Sequence, residues 1–182
     1  MAKLEEKTLS SEAVFDGALL HVKADRVALS NGKESIREYI VHSGAACVVP
    51  LLDNGNLVFE RQYRYPLRRE FIELPAGKID PGEAPLATAQ RELYEETGYT
   101  ASEWQHLLTL HPCIGYSDER IELYFARGLR LHAFERPAEE SLEVFELSVD
   151  EAQTWISQGK ITDAKTLIGI LLCIQRGLLK SA

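Results

Sequence analysis

Residues 77–99 read GKIDPGEAPLATAQRELYEETGY. This stretch has a loop half and a helix half. Asp80-Pro81-Gly82 is a turn, since Pro presets φ and Gly tolerates φ > 0. Glu83 and Pro85 are expected to open a helix, because an acid suits the positive helix end and Pro is tolerated in the first turn. Gly98 closes it. Leu86, Ala89, Leu93 and Thr97 recur at helical spacing and form the expected buried stripe. Beside that stripe Glu92 and Glu96 are an i, i+4 pair, and Glu95 is three residues on from Glu92, so the three acids crowd one side.

Like charges at this spacing repel and destabilise a helix. Hard oxygen ligands on a rigid element suit Mg²⁺ or Mn²⁺, and Mg²⁺ commonly joins one or two carboxylates to substrate phosphates. A solvated acidic face, softened by Arg91, accounts for the same run. The spacing around it decides between them. Gly77, five residues, Glu83, seven residues, Arg91-Glu92-Leu93, one residue, Glu95-Glu96, one residue, then Gly98 and Tyr99 resemble the box of the Nudix hydrolase family at every fixed position. Tyr99 stands where an aliphatic residue is more usual.

The resemblance covers about residues 36–180 and implies an α/β protein: the Nudix α/β/α sandwich with a mixed sheet, preceded by an antiparallel β extension. It also implies hydrolysis of a nucleoside diphosphate linked to another group, with Mg²⁺, or Mn²⁺ in its place. Carried over, Glu92 and Glu96 are the first metal ligands, with Glu95 close behind and the carbonyl of Ala76 a further one. Arg91 orients the glutamates by ion pairing, and Glu83 holds the loop or joins the cluster.

Bulk composition agrees with one globular chain. At 182 residues there is length for a sizeable core. The formal net charge of −8 argues against a general nucleic-acid binder, which needs a basic surface. Cys47, Cys113 and Cys173 lie far apart without metal spacing; Cys47 and Cys173 sit in apolar runs and are expected as buried thiols. No secretory h-region opens the chain, and its apolar runs are far short of the ~20 residues that span a bilayer. A cytoplasmic protein with no membrane role is expected.

Residues 1–9 are polar and expected to be loosely held. Residues 12–42 alternate in strand fashion around the hairpin signals Asp16-Gly17 and Asn31-Gly32. Residues 1–43 thus form an antiparallel extension, and 44–182 the main domain. The ADP-ribose pyrophosphatase branch of the family has a similar extension that packs across a dimer, so a homodimer is implied. The apolar run Ala45 to Leu52 fits a buried central strand. Asp53-Asn54-Gly55-Asn56 turns the chain into a strand ending at Arg64. Arg61-Gln62-Tyr63-Arg64 and Glu73-Leu74-Pro75-Ala76-Gly77 resemble the same branch, which implies that Arg64 contacts substrate and Arg37 does likewise.

After the box, Trp104 to Leu110 is a strand. The loop His111 to Glu119 resembles the branch's Pro-x-x-Gly-x-Ser-Asp-Glu loop, with Cys113-Ile114 as its departure. Gly115 is expected to let backbone N–H groups approach a phosphate or ribose, and Glu119 is expected to help hold metal or substrate. Ile121 to Gly128 and Leu142 to Leu147 are strands. Between them the branch carries an acidic loop with a general base, assigned here to Glu140, with Glu139 second. Ser148 and Glu151 form a capping box for a helix ending at Gly159. A last helix starts near Asp163, packs its broad apolar face on the sheet, and includes Gly169 for close approach.

These features lead to one expected reaction: Mg²⁺-dependent cleavage of the pyrophosphate of a nucleotide sugar, ADP-ribose giving AMP and ribose 5-phosphate. Another nucleotide sugar such as GDP-mannose, or a dinucleoside polyphosphate, uses the same machinery. A non-catalytic nucleotide-binding regulator on the same scaffold would be expected to lose box glutamates, and none is missing.

Overall fold

The computed structural model describes residues 4–133 and 141–180. The chain divides into two compact units, one of residues 1–43 with 111–120 and one of 44–110 with 121–182. In the first, β1 (Lys7–Asp16), β2 (His21–Ala28) and β3 (Glu34–Val41) form an antiparallel sheet in that order. The expected loose start is shorter than residues 1–9. β1 pairs with β2 from Lys7 onward, and Glu6 receives two hydrogen bonds from Arg37 on β3. Backbone pairing needs no apolar side chain, which is why a polar run hides this strand.

The second unit is built on β4 (Ala45–Pro50), which is central in a four-stranded sheet of order β7-β4-β9-β8. Its neighbours are β7 (Ala76–Lys78), antiparallel, and β9 (Ile121–Leu131), parallel; β8 (Tyr99–Leu110) pairs antiparallel with β9. The sheet is therefore mixed. A second, antiparallel sheet has the order β10 (Leu142–Ser148), β5 (Asn56–Arg64), β6 (Arg69–Glu73). Tyr65–Leu67 is a 3-10 turn, and Arg68 after it takes a left-handed φ of 52°.

Strand alternation gives β4 two faces. Ala46 and Val48 pack with Ala89 and Leu93 of α1 (Pro85–Thr97). Cys47 and Val49 pack on the other side with Leu57, Phe59, Leu74 and Ile170. Ile170 belongs to α3 (Ala164–Gln175). The α/β/α sandwich follows from a strand that is apolar on both faces. Ser148 and Glu151 make the reciprocal capping box of α2 (Val149–Ser157), and Asp163 caps α3 by accepting from Thr166 N–H. Cys47 and Cys173 are buried free thiols. No helix among the described residues is long and apolar enough to cross a membrane.

Gly169 of α3 faces the sheet. A Cβ there would lie 3.0 Å from Val49 Cγ2 and 3.3 Å from Leu74 Cδ1. Gly169→Val is expected to destabilise the protein by about 3 kcal/mol through overpacking, read as a lower urea midpoint.

Candidate functional site

β4 fixes β7 in register, with Gly77 opposite Ala46 and Ala76 opposite Cys47. α1 starts with Pro85 at its first position and ends at Gly98, whose φ of 76° only glycine adopts freely. Its buried residues are Thr88, Ala89, Glu92, Leu93, Glu96 and Thr97. Leu86, expected in the buried stripe, is instead 37% exposed. Thr88 takes a buried place because its hydroxyl is satisfied by Glu83, at 2.8 Å.

Glu92 and Glu96 are buried although charged. A Cβ on Gly77 would lie 1.9 Å from Glu92 Oε1, so the carboxylate rests directly over the glycine backbone. The Ala76 N–H donates to Glu96 Oε2 at 3.0 Å. On the outer side, Arg91 gathers the acids. Its Nη1 donates to Glu92 Oε1 at 2.8 Å and Glu95 Oε2 at 3.0 Å. Its Nε and Nη2 grip the two Glu83 oxygens at 3.1 and 3.0 Å, and Nη2 also reaches the Lys78 carbonyl at 3.2 Å.

Glu83 does not sit in the first helical turn as expected. Ala84 is the N-cap, and Glu83 lies before it. A bidentate guanidinium pair outweighs the field of a helix end. Hydrogen bonds from Arg91, and then from Thr88, hold the Glu83 carboxyl down at about 2. The same contacts raise the pKa of Arg91, Glu83 first among them.

A second cluster lies on β5, β6 and α3, and sequence reading assigned most of it no role. Glu60 pairs across from Glu73 on neighbouring strands. Arg64 Nε and Nη2 donate to the two Glu73 oxygens at 2.7 and 2.8 Å. Lys165 bonds Glu73 and also Asp163, the latter at 3.0 Å. Burial would raise the Glu73 carboxyl, but the Arg64 hydrogen bonds and the Lys165 charge bring it below the usual range. Glu60 is fully buried, and among the described residues neither of its oxygens has a hydrogen-bond partner. Burial, and then the charge of Glu73, push its pKa up to about 8. The signal in sequence was a charge directly following the apolar run Leu57-Val58-Phe59, all three of which are buried. A cavity of about 270 Å³ beside this cluster is lined by Arg64, Leu67, Phe71, Glu73, Asp163 and Lys165.

In the first unit, Arg37 lies on β3 and is gripped by Glu6 at 3.0 and 2.7 Å. The loop bearing Gly115 and Glu119 is pinned to β3: Ile40 N–H donates to the Tyr116 carbonyl, and His42 N–H to Asp118 Oδ1. Open space surrounds Gly115, and Glu119 N–H donates to Ser117 Oγ at 3.1 Å. Glu140 and Glu139 lie outside the described residues. The structure thus gathers Ala76, Arg91, Glu92, Glu95 and Glu96, and places Arg64 in the adjoining cluster.

Among the described residues no three His, Cys, Asp or Glu side chains form a ready-made metal cage. A hard cation nonetheless fits the donors present. All are oxygens, the Gly77 backbone leaves room for a carboxylate, and Glu60 presents oxygens with no other partner. Mg²⁺ needs only one or two carboxylates when substrate phosphates complete its shell.

Residues 41–167 match the family model of the NUDIX domain. The chain belongs to the Nudix hydrolase family. Residues 6–40 of this Nudix hydrolase match the nucleoside diphosphate sugar hydrolase N-terminal domain. It is 40% identical over 173 residues to a methanol dehydrogenase activator of Bacillus methanolicus, covering 93% of this chain and 94% of that protein. It is 37% identical over 172 residues to an ADP-ribose pyrophosphatase of Bacillus subtilis (strain 168), covering 93% of each. A crystal structure of an ADP compounds hydrolase matches with a TM-score of 0.85 at 23% identity, over 97% of this chain and 96% of that one, which establishes the fold. Nudix hydrolases generally use divalent metal ions.

Gly77→Ala is expected to push the Glu92 carboxylate off its seat and lower hydrolysis by about 100-fold, with the far-UV CD spectrum unchanged. Glu73→Gln leaves Lys165 and Arg64 short of a counter-charge. Its expected cost at pH 7 is about 3 kcal/mol. Because the folded pKa lies below the ordinary 4.5, the wild-type advantage is present above that pH and shrinks as pH falls below it. Urea unfolding across a pH series measures both effects.

Proposed function

We propose that this Nudix hydrolase cleaves the pyrophosphate bond of a nucleoside diphosphate sugar with Mg²⁺, and that ADP-ribose is the substrate, giving AMP and ribose 5-phosphate. The observation that carries this reading is the buried pair Glu92 and Glu96, seated against Gly77 and the Ala76 N–H. Burying carboxylates is costly, and a cation would add to the compensation that Arg91 already gives Glu92. The near-full-length likeness to an ADP-ribose pyrophosphatase supports the choice of substrate.

Glu92, Glu96, Glu95 and the Ala76 carbonyl would hold the cation; Mn²⁺ suits the same donors. When bound, a divalent cation supplies charge neutralisation and Lewis-acid polarisation of the P–O bonds. Arg91 holds Glu92 and Glu95 from outside, with hydrogen bonds of 2.8 and 3.0 Å. Substrate contacts are assigned to Arg64, beside its 270 Å³ cavity, and in the first unit to Arg37, Gly115 and Glu119. Glu140 is assigned as the general base that accepts a proton from the attacking water. A homodimer is part of the proposal, supported by exposed Val14, Phe15, Leu19, Leu20 and Ile36 in the first unit. A cytoplasmic setting is proposed on the three free thiols.

A panel of ADP-ribose, GDP-mannose and a dinucleoside polyphosphate, with phosphate release coupled to a phosphatase, tests the substrate. ADP-ribose is expected to give the highest kcat/KM. Glu96→Gln is expected to lower that value by at least about 1,000-fold at saturating Mg²⁺. Equal rates in the two proteins would remove the box from the chemistry, and tight ADP-ribose binding without turnover would make the protein a regulator.

A further inference from the structure

Glu60 is the buried group that the box does not explain. It is fully enclosed on β5, and no donor among the described residues reaches either oxygen. A buried carboxylate without a donor is expensive, and most native interiors avoid it. Its neighbours are Glu96 of α1, Glu73, Lys165 and Arg64. Lys165 and Arg64 are already engaged by Glu73 and Asp163. Both cations named here are thus held by Glu73 and Asp163. Glu60 and Glu96 adjoin closely enough for one carboxyl to share a proton with the other, and the Ala76 N–H donates to Glu96 Oε2 at 3.0 Å.

We infer that Glu60 is a further cation-binding residue: with Glu96 it forms a two-carboxylate seat for a divalent metal ion on the β5 side of the box helix. The inference rests on the reading of the box as a cation site and deepens it, because it brings in a residue from outside residues 77–99. Two carboxylates are the number that Mg²⁺ takes when water and phosphate oxygens fill the remaining positions. A strand residue on one side and a helix residue on the other also make the seat stiff, which favours a small cation over a larger one.

The test is Mn²⁺ titration followed by electron paramagnetic resonance, in buffer and again with AMP, on wild type, Glu60→Gln, Glu60→Leu and Glu96→Gln. Glu60→Gln is expected to weaken Mn²⁺ binding by about tenfold or more. In EDTA the same variant is expected to melt at least about 2–4 °C higher than wild type, because one of two adjoining buried carboxyls is gone. Glu60→Leu repeats both effects without any polar atom. Equal Mn²⁺ affinity in wild type and both Glu60 variants overturns the inference and leaves the box reading standing. A lower melting point in EDTA for both variants also overturns it, since Glu60 would then be a structural anchor. Absence of Mn²⁺ binding by wild type in either buffer overturns the box reading and this inference together.

Discussion

One guanidinium makes the acidic helix possible. Arg91 touches Glu83, Glu92 and Glu95 at once, and its fourth contact is the Lys78 carbonyl. Without it, Glu92 and Glu95 on the helix and Glu83 just before it would repel one another and find their charge better solvated elsewhere. A lysine could not replace it: a point charge on a flexible stem has no fork to grip one carboxylate with two nitrogens while holding others. Loop and helix are therefore locked to each other by charge, where most helix–loop junctions rely on apolar packing.

The two sides of α1 are neutralised differently. Outside, Arg91 is 28% exposed in its side chain, and its ion pairs border on water. Inside, Glu96 meets Glu60, and the nearest cations are already committed to Glu73 and Asp163. The outer arrangement is complete in itself. The inner one crowds two buried carboxyls together in a dry place, where electrostatic interactions are strongest. That contrast leaves one helix neutralised on its outer side and crowded with carboxyls on its inner side.

Much of this was readable from residue order. The box spacing gave α1, its turn and its left-handed Gly98; the apolar run Ala45 to Leu52 gave the central strand; and Ser148 with Glu151 gave the start of α2. These depend on local chemistry, which sequence carries directly. Glu83 was misplaced because a partner eight residues away overrode the local preference for a helix end. β1 began earlier than its polarity suggested, because pairing with β2 is decided by backbone groups. The Glu60, Glu73, Asp163 and Lys165 cluster was the hardest to foresee. Its members come from β5, β6 and α3, and only the fold makes them neighbours.

The parallel pairing of β4 with β9 has a bearing on how the molecule comes into being. Everything from β5 through β8, box included, is spelled out between those two partners. During synthesis from the N-terminus, the helix with its glutamates emerges before the strand that completes the floor beneath it. Until β9 docks, Ala46 and Val48 lack their lateral neighbour, and β7 has a half-built sheet to lean on. Ligand affinity should therefore arrive late and all at once, so a stalled or shortened polypeptide ending before residue 121 would carry the whole signature yet bind poorly.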